Sequence, residues 1–431
     1  MSHTAGILSL ALLLACEGPP TPPEHDRGEE VHSVGAGHRA SDPGSVALAY
    51  SPGQEAPTDR LIASAMQTVR REPSASEAWT NLAALLLRRR RETSDASLYI
   101  HAEDALAAAR DRDPGSVRVE ILSAMLLLDR HRFAEASRAA ERVIGAASAD
   151  PTGHLLLGDA RIETGDYEGA VRAYQHAMDL RPDLRSYERG AHVRWLHGDV
   201  DGAIELVALA IDSGSPRDLE SIAWCWVELG RIEHARGRND AALAAAARAR
   251  GLVPAYLPAV ALEARALRAL DRRDEAIARL ETVVRRAPST EDLCALAELL
   301  EAAGRAEDAA RRLAQAERLA ADDPRPLAAY LARRGLRVQE ALRLAEREIA
   351  TRGTVQAHDT HALALLRAGR AREALAAIER ALALGTPDAS FHVHAALIHG
   401  ALGDEARTMA SLERARQIDP GADLVLVRGE S

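Results

Sequence analysis

Five histidines crowd the later part of this 431-residue chain: His358 and His361 in "HDTH", then His392, His394 and His399 in "HVHAALIH". Imidazole is a common transition-metal ligand and carries protons near neutral pH, so the cluster invites a metal-centre or acid–base reading. Helical spacing tests that reading. His358 and His361 share one face of a helix, and His392 and His399 lie two turns apart on another, but His394 points away from His392. Asp359 is the only carboxylate within the two stretches. The arrangement favours half-buried packing histidines, so neither a metal nor a cofactor is expected. The rival reading is a metal-binding or enzymatic accessory protein built on these C-terminal histidines. No HExxH helix, GxxxxGK phosphate loop, GxSxG elbow or CxxC pair occurs anywhere in the chain, and no catalysis is expected.

The elements that would carry these residues repeat. "GDARIETGDYEGAVRAYQHAMDLRP", residues 158–182, reads as two helices, the first ending near Thr164 and the second running from Tyr167 to Leu180, with Gly165-Asp166 between them and Pro182 as the stop. The small residue after the turn recurs at Ala102, Ala136, Ala170, Ala203, Ala242, Ala276, Ala309, Ala341, Ala374 and Thr408, at steps of 34, 34, 33, 39, 34, 33, 32, 33 and 34 residues. Backbones that approach closely need Gly or Ala at the contact, and large residues fill the space between neighbouring hairpins. The extra residues near Glu92 to Leu98 and Ser213 to Leu219 are expected as surface loops. The unit from Arg325 to Gly353 has no clear large residues in its first helix, and it is expected to pack loosely, as is the unit carrying Thr408.

This pattern resembles the tetratricopeptide repeat: His154, Leu157, Gly158, Ala170, Tyr174 and Pro182 in one unit, Trp226, Leu229, Gly230, Ala242, Ala246 and Pro254 in another, and Trp79, Leu82, Ala83 and Leu86 in a third. The resemblance implies an all-α solenoid, a superhelix of about ten helix-turn-helix hairpins over residues 75–420. A capping helix over 58–74 precedes it and a short tail, 421–431, follows. It also implies a concave groove lined by the first helix of each hairpin, where an extended protein or peptide partner lies. On this sequence the implied groove positions hold Glu188, His192 and Trp195, then Trp224, Arg231 and His234, then Arg265 and Arg268. Beyond these come Glu291, Glu298 and Glu301, followed by Tyr330, Arg333 and Arg334. Arg with Trp is the composition of binding hot spots, and Arg suits carboxylates, so an acidic or C-terminal partner segment at Arg231, Arg265 and Arg268 is one expectation. The other is that these arginines pair with the chain's own glutamates while the tryptophans pack.

Composition sets the remaining bounds. A net charge of −10 argues against a nucleic-acid partner, and all 54 basic residues are Arg. Only 3% of residues are aromatic, so the core is expected to be Leu and Ala. Cys225 and Cys294 lie two repeats apart and are expected as small apolar residues without a bridge. The opening "MSHTAGILSLALLLAC" has an apolar run too short to span a bilayer but suited to a signal-peptide core, and Leu13-Leu14-Ala15-Cys16 resembles the lipobox of bacterial lipoproteins. That resemblance implies a signal peptide over 1–15, lipid attachment at Cys16, and a flexible tether over 16–57 rich in Pro, Gly and acidic residues. A lipid-anchored scaffold of the bacterial cell envelope, facing the periplasm or exterior, is the resulting expectation; a cytoplasmic scaffold without an anchor is its rival.

Overall fold

The computed structural model describes residues 43–53, 57–93, 95, 97–321 and 323–422. Cys16, the signal-peptide segment, the tether up to residue 42 and residues 423–431 lie outside the described residues. Among those described there are twenty-two α-helices and no strand. Two helices, α1 (Ser45–Ala49) and α2 (Pro57–Arg71), precede ten helical hairpins. The hairpins are α3 (Ser76–Thr93) with α4 (Ser97–Arg112), α5 (Val117–Asp129) with α6 (Phe133–Ala146), α7 (Thr152–Thr164) with α8 (Tyr167–Leu180), α9 (Leu184–Leu196) with α10 (Val200–Asp212) and α11 (Leu219–Ala235) with α12 (Asn239–Leu252). They continue as α13 (Leu257–Ala269) with α14 (Arg273–Arg286), α15 (Thr290–Ala302) with α16 (Ala306–Leu319), α17 (Pro324–Arg334) with α18 (Val338–Ile349), α19 (Val355–Arg367) with α20 (Ala371–Leu382) and α21 (Ala389–Ala401) with α22 (Glu405–Ile418).

The third hairpin shows how sequence makes the unit. Gly165 ends α7 in the left-handed conformation at φ 81°, and Asp166 opens α8 by accepting the Gly169 N–H. Gly158 lets the two helices close, because a Cβ there would collide with the Tyr174 ring. Asp159, fully buried, accepts hydrogen bonds from the Tyr174 hydroxyl at 3.2 Å and from Arg189 Nε of the next hairpin at 2.7 Å. Stacking is thus held by alanine contacts and by one buried ion pair with all its partners in place. The nine alanines that follow the turns, from Ala102 to Ala374, are at most 1% exposed, whereas Thr408 is only half-buried.

Three local expectations are corrected. The extra residues of the first hairpin form no long loop: they lengthen α3 to 18 residues, because the run Leu85 to Arg91 contains good helix formers and neither Gly nor Pro. The unit from Arg325 to Gly353 packs tightly, with Leu327, Tyr330 and Leu331 at most 2% exposed. Residues 43–53, assigned to the tether, are docked on α4: Gly44 and Ala47 donate backbone N–H bonds to the Asp104 carboxylate at 3.0 and 2.8 Å, and His101 Nδ1 lies 2.7 Å from the Val46 carbonyl.

The superhelix turns once and then meets itself. Junctions between late hairpins abut hairpins almost 200 residues earlier. Gly353 donates its N–H to the Glu163 carbonyl at 3.1 Å, Val355 donates to the Tyr167 hydroxyl oxygen at 2.8 Å, and the Thr386 hydroxyl donates to the Leu196 carbonyl at 2.7 Å. Arg352 reaches across to Glu163 at 2.6 Å and stays beside Glu348 at 3.7 Å. The approach is backbone against backbone, and a Cβ on Gly165 would lie 2.5 Å from the Gly353 carbonyl oxygen. This seam closes the concave side into a lumen.

Candidate functional site

The lumen is a cavity of about 500 Å³ whose wall runs from α3 to the start of α21. Its cations are Arg90, Arg91, Arg231, Arg265, Arg325 and Arg352; its acids are Glu163, Glu188, Glu228, Glu291, Asp292, Asp323 and Asp388. First helices of the hairpins supply nearly all of these. The N-terminal ends of α13, α15, α17, α19 and α21 open on one side, and the middles of α9 and α11 face them.

Of the residues singled out by position in the repeat, His192, Trp195, Arg231 and Arg265 stand in this wall. His192 sits beside Trp195 with ring centroids 5.8 Å apart; burial, helped by the charge of Arg231, pulls its pKa down to about 3, so the ring is neutral at physiological pH. Trp195 is half-buried, and its Nε1 has no hydrogen-bond partner among the described residues. Trp224 is not presented to the lumen. It is 3% exposed, its indole N–H donates to Glu188 at 3.2 Å, and Arg231 covers its ring at 4.8 Å. His234 and Arg268 do not line the cavity either. His234 Nδ1 lies 2.6 Å from Asn239 Oδ1, and its pKa is lowered by burial.

The basic and acidic stripes interlock. Arg231 pairs with Glu228 at 2.8 Å, Arg265 with Glu291 at 3.1 Å, and Arg268 with Glu298 at 2.9 Å. Glu298 also takes Arg333 at 2.5 Å, and Glu301 takes Arg334 at 2.7 Å and the Tyr330 hydroxyl at 3.2 Å. The Arg265 guanidinium holds the Glu291 carboxyl down at about 2. Glu228 moves the other way, because its burial outweighs the charge of Arg231. Each of the three arginines expected to seize a partner carboxylate therefore already holds one from its own chain.

Position in the repeat did not point to the seam side of the wall, where Glu163, Asp323, Arg325, Arg352, Thr354, Gln356 and Asp388 lie. Their signal is a different one: Asp323, Thr354 and Asp388 are helix N-cap positions facing inward. The C-terminal histidines are placed elsewhere. His394 is buried with Nδ1 2.8 Å from Asp359, and burial lowers the pKa of His358, His361 and His392. Among the described residues no group of three or more His, Cys, Asp or Glu side chains is arranged to hold a metal ion. Cys225 and Cys294 are buried free thiols, and burial pushes Cys294 up to about 12. No helix among them is long and apolar enough to cross a membrane.

The tetratricopeptide-repeat family model matches residues 121–185 and 360–423, which span most of the second and third hairpins and most of the ninth and tenth. The comparison with curated proteins gives no match. Similar solved structures include the human IFIT1 dimer with m7Gppp-AAAA, 13% identical with a TM-score of 0.48 over 84% of this chain and 86% of that one. Yeast Tom70 is 13% identical with a TM-score of 0.40, covering 86% and 94%. A tetratricopeptide repeat protein from Parabacteroides merdae is 18% identical with a TM-score of 0.34, covering 56% and 93%.

Proposed function

This chain is a tetratricopeptide-repeat protein, and from that premise we propose that it is a non-catalytic scaffold holding an extended segment of a partner protein inside the lumen. The supporting observation is the seam. By bringing Glu163 and Leu196 against Gly353 and Thr386, it gathers the first helices of most hairpins around one cavity, whose volume of about 500 Å³ is on the scale of a short peptide segment and far below that of a folded domain. Walls from both sides of the seam would give a short segment more contact than an open groove offers. An acidic segment would have to displace Glu228, Glu291 and Glu298 from Arg231, Arg265 and Arg268, so those arginines are better read as part of the wall.

A pull-down compares the full chain with Gln356→Trp. Gln356 is half-buried in the lumen wall, so the indole fills the cavity without cutting an ion pair. A partner captured by the parent chain and lost from the variant, with helical circular dichroism unchanged, is the expected result. Identical partner sets would sink the lumen reading and direct attention to the convex face.

The setting we propose is the bacterial cell envelope, with Cys16 lipidated. This rests on Leu13-Leu14-Ala15-Cys16 following a short apolar run. Fractionation of cells expressing Cys16→Ala is expected to move the protein from the membrane pellet to the soluble fraction. Retention in the pellet would rule out this anchor.

A further inference from the structure

Seven helices of the array begin at an aspartate: Asp166, Asp183, Asp199, Asp218, Asp323, Asp388 and Asp404. Six of these carboxylates accept a backbone N–H from the helix they open, five of them from the residue three positions on. Asp323 makes no such bond. Part of the reason lies in the sequence: in Asp323-Pro324-Arg325-Pro326 the residue three positions on, the donor in five of the other six helices, is a proline, which has no N–H to give. The side chain is left over from capping, yet it is not on the surface. Asp323 is 4% exposed, stands in the lumen wall, and its Oδ1 has no hydrogen-bond partner among the described residues. A buried carboxyl oxygen without a donor is costly, so the position calls for one from outside the chain.

The charges around it decide what kind. Arg352, the cation nearby, is committed to Glu163 and Glu348. Asp292 and Asp388 share the wall, and among the described residues their carboxylates are bonded to the serines of their own helix starts, Ser289 at 2.7 Å and Ser390 at 2.6 Å. Arg325 is half-buried, forms no ion pair among the described residues, and contributes charge to the region without satisfying Asp323. We propose that Asp323 is the anchoring carboxylate of the lumen and receives the guanidinium or ammonium group of a basic side chain on the bound partner segment. This rests on the reading that the lumen holds such a segment, and it assigns that segment the opposite charge to the one drawn from the arginine positions. Burial raises Asp323 to about 7, against the pull of Arg325 and Arg352, which is how a carboxyl short of cations behaves.

The test uses the full chain and a short Gly-Arg peptide blocked at both ends, with the matching Gly-Glu peptide alongside. Binding is read by calorimetry and by Trp195 fluorescence, with Trp195→Phe identifying the lumen signal. The Gly-Arg peptide is expected to bind one to one and to weaken by at least about tenfold in Asp323→Asn. Pro326→Ala should weaken it too, because the restored N–H occupies the carboxylate as in the other helices. Arg325→Gln should strengthen it by removing a like charge. A folded Asp323→Asn protein that binds the peptide as the parent does overturns the proposal, as does a peptide that fails to bind the parent. A lumen signal given by the Gly-Glu peptide and weakened by Arg325→Gln overturns it in favour of an anionic segment. None of these results touches the lumen reading itself, which stands or falls on Gln356→Trp.

Discussion

A carboxyl group buried short of cations makes stability depend on pH, and two among the described residues are shifted far. Asp129, at the end of α5, is 2% exposed with Oδ1 unpartnered among the described residues, and burial raises it to about 7 against the charges of Arg90 and Arg91. Asp323 is raised similarly by burial. In the unfolded chain each ionises near pH ~4, so the folded state keeps its proton over a wider range. The sign follows: their contribution to stability is full below about pH 4, lost as pH rises through about 7, and constant above that. Glu291, held down at about 2 by Arg265, acts in a separate window, contributing above its unfolded value near pH ~4.3 and losing that contribution as acid is added. Urea midpoints measured from pH 5 to pH 8 are expected to show a declining component that Asp129→Asn removes in part. The same decline in the variant would mean that Asp129 is not its source.

At the level of the helix, the sequence was most legible where a small residue has no substitute. The alanine after each turn, the Gly-Asp connector and the bounds of α8 at Tyr167 and Leu180 could be read because each answers to a local requirement: close helix approach, a left-handed turn, a cap. Insertions were less legible. Seven extra residues announce that something is longer, but whether a loop or a helix absorbs them depends on the helix propensity of the neighbouring run, and α3 simply continues through a stretch of Leu and Arg. The lumen residues divide in the same way. The resemblance to the tetratricopeptide repeat located His192, Trp195, Arg231 and Arg265, but the depth of Trp224 depends on Arg231 folding over it, and the pairing of each arginine depends on which helix comes next. A stripe of arginines beside a stripe of glutamates on successive first helices is a pattern that neutralises itself.

At the scale of the molecule, the closure of the turn was not legible at all. Small rotations per repeat accumulate along a solenoid, and only their sum decides whether the third hairpin meets the loop before the ninth. The seam that results combines one backbone–backbone bond, two side-chain-to-backbone bonds, one buried ion pair, glycines at close approach and an apolar cluster that joins α7–α9 to the late helices. Gly165 therefore has two demands on it, the positive φ that ends α7 and the space taken by Gly353. Gly165→Ala is expected to part the seam while leaving the hairpins helical. Small-angle scattering should show a larger radius of gyration, and iodide should quench Trp195 more readily, at unchanged circular dichroism. A variant as compact and as protected as the parent would show that the contacts between turns do not depend on this glycine.

The ring made by that seam restricts how anything gets in, whatever its charge. On the proposed reading, a strand already flanked by bulky domains on both sides could not slide sideways into it; such a strand would have to wait until the whole seam parts, the Arg352–Glu163 pair and the bonds at Gly353, Val355 and Thr386 together. A strand with a free end can instead be threaded, like cord through an eyelet. On that reading, the timetable of capture would be set by the partner's termini and by how often the seam parts, and a partner threaded and then folded at its far end would be retained by topology even where its individual contacts are weak.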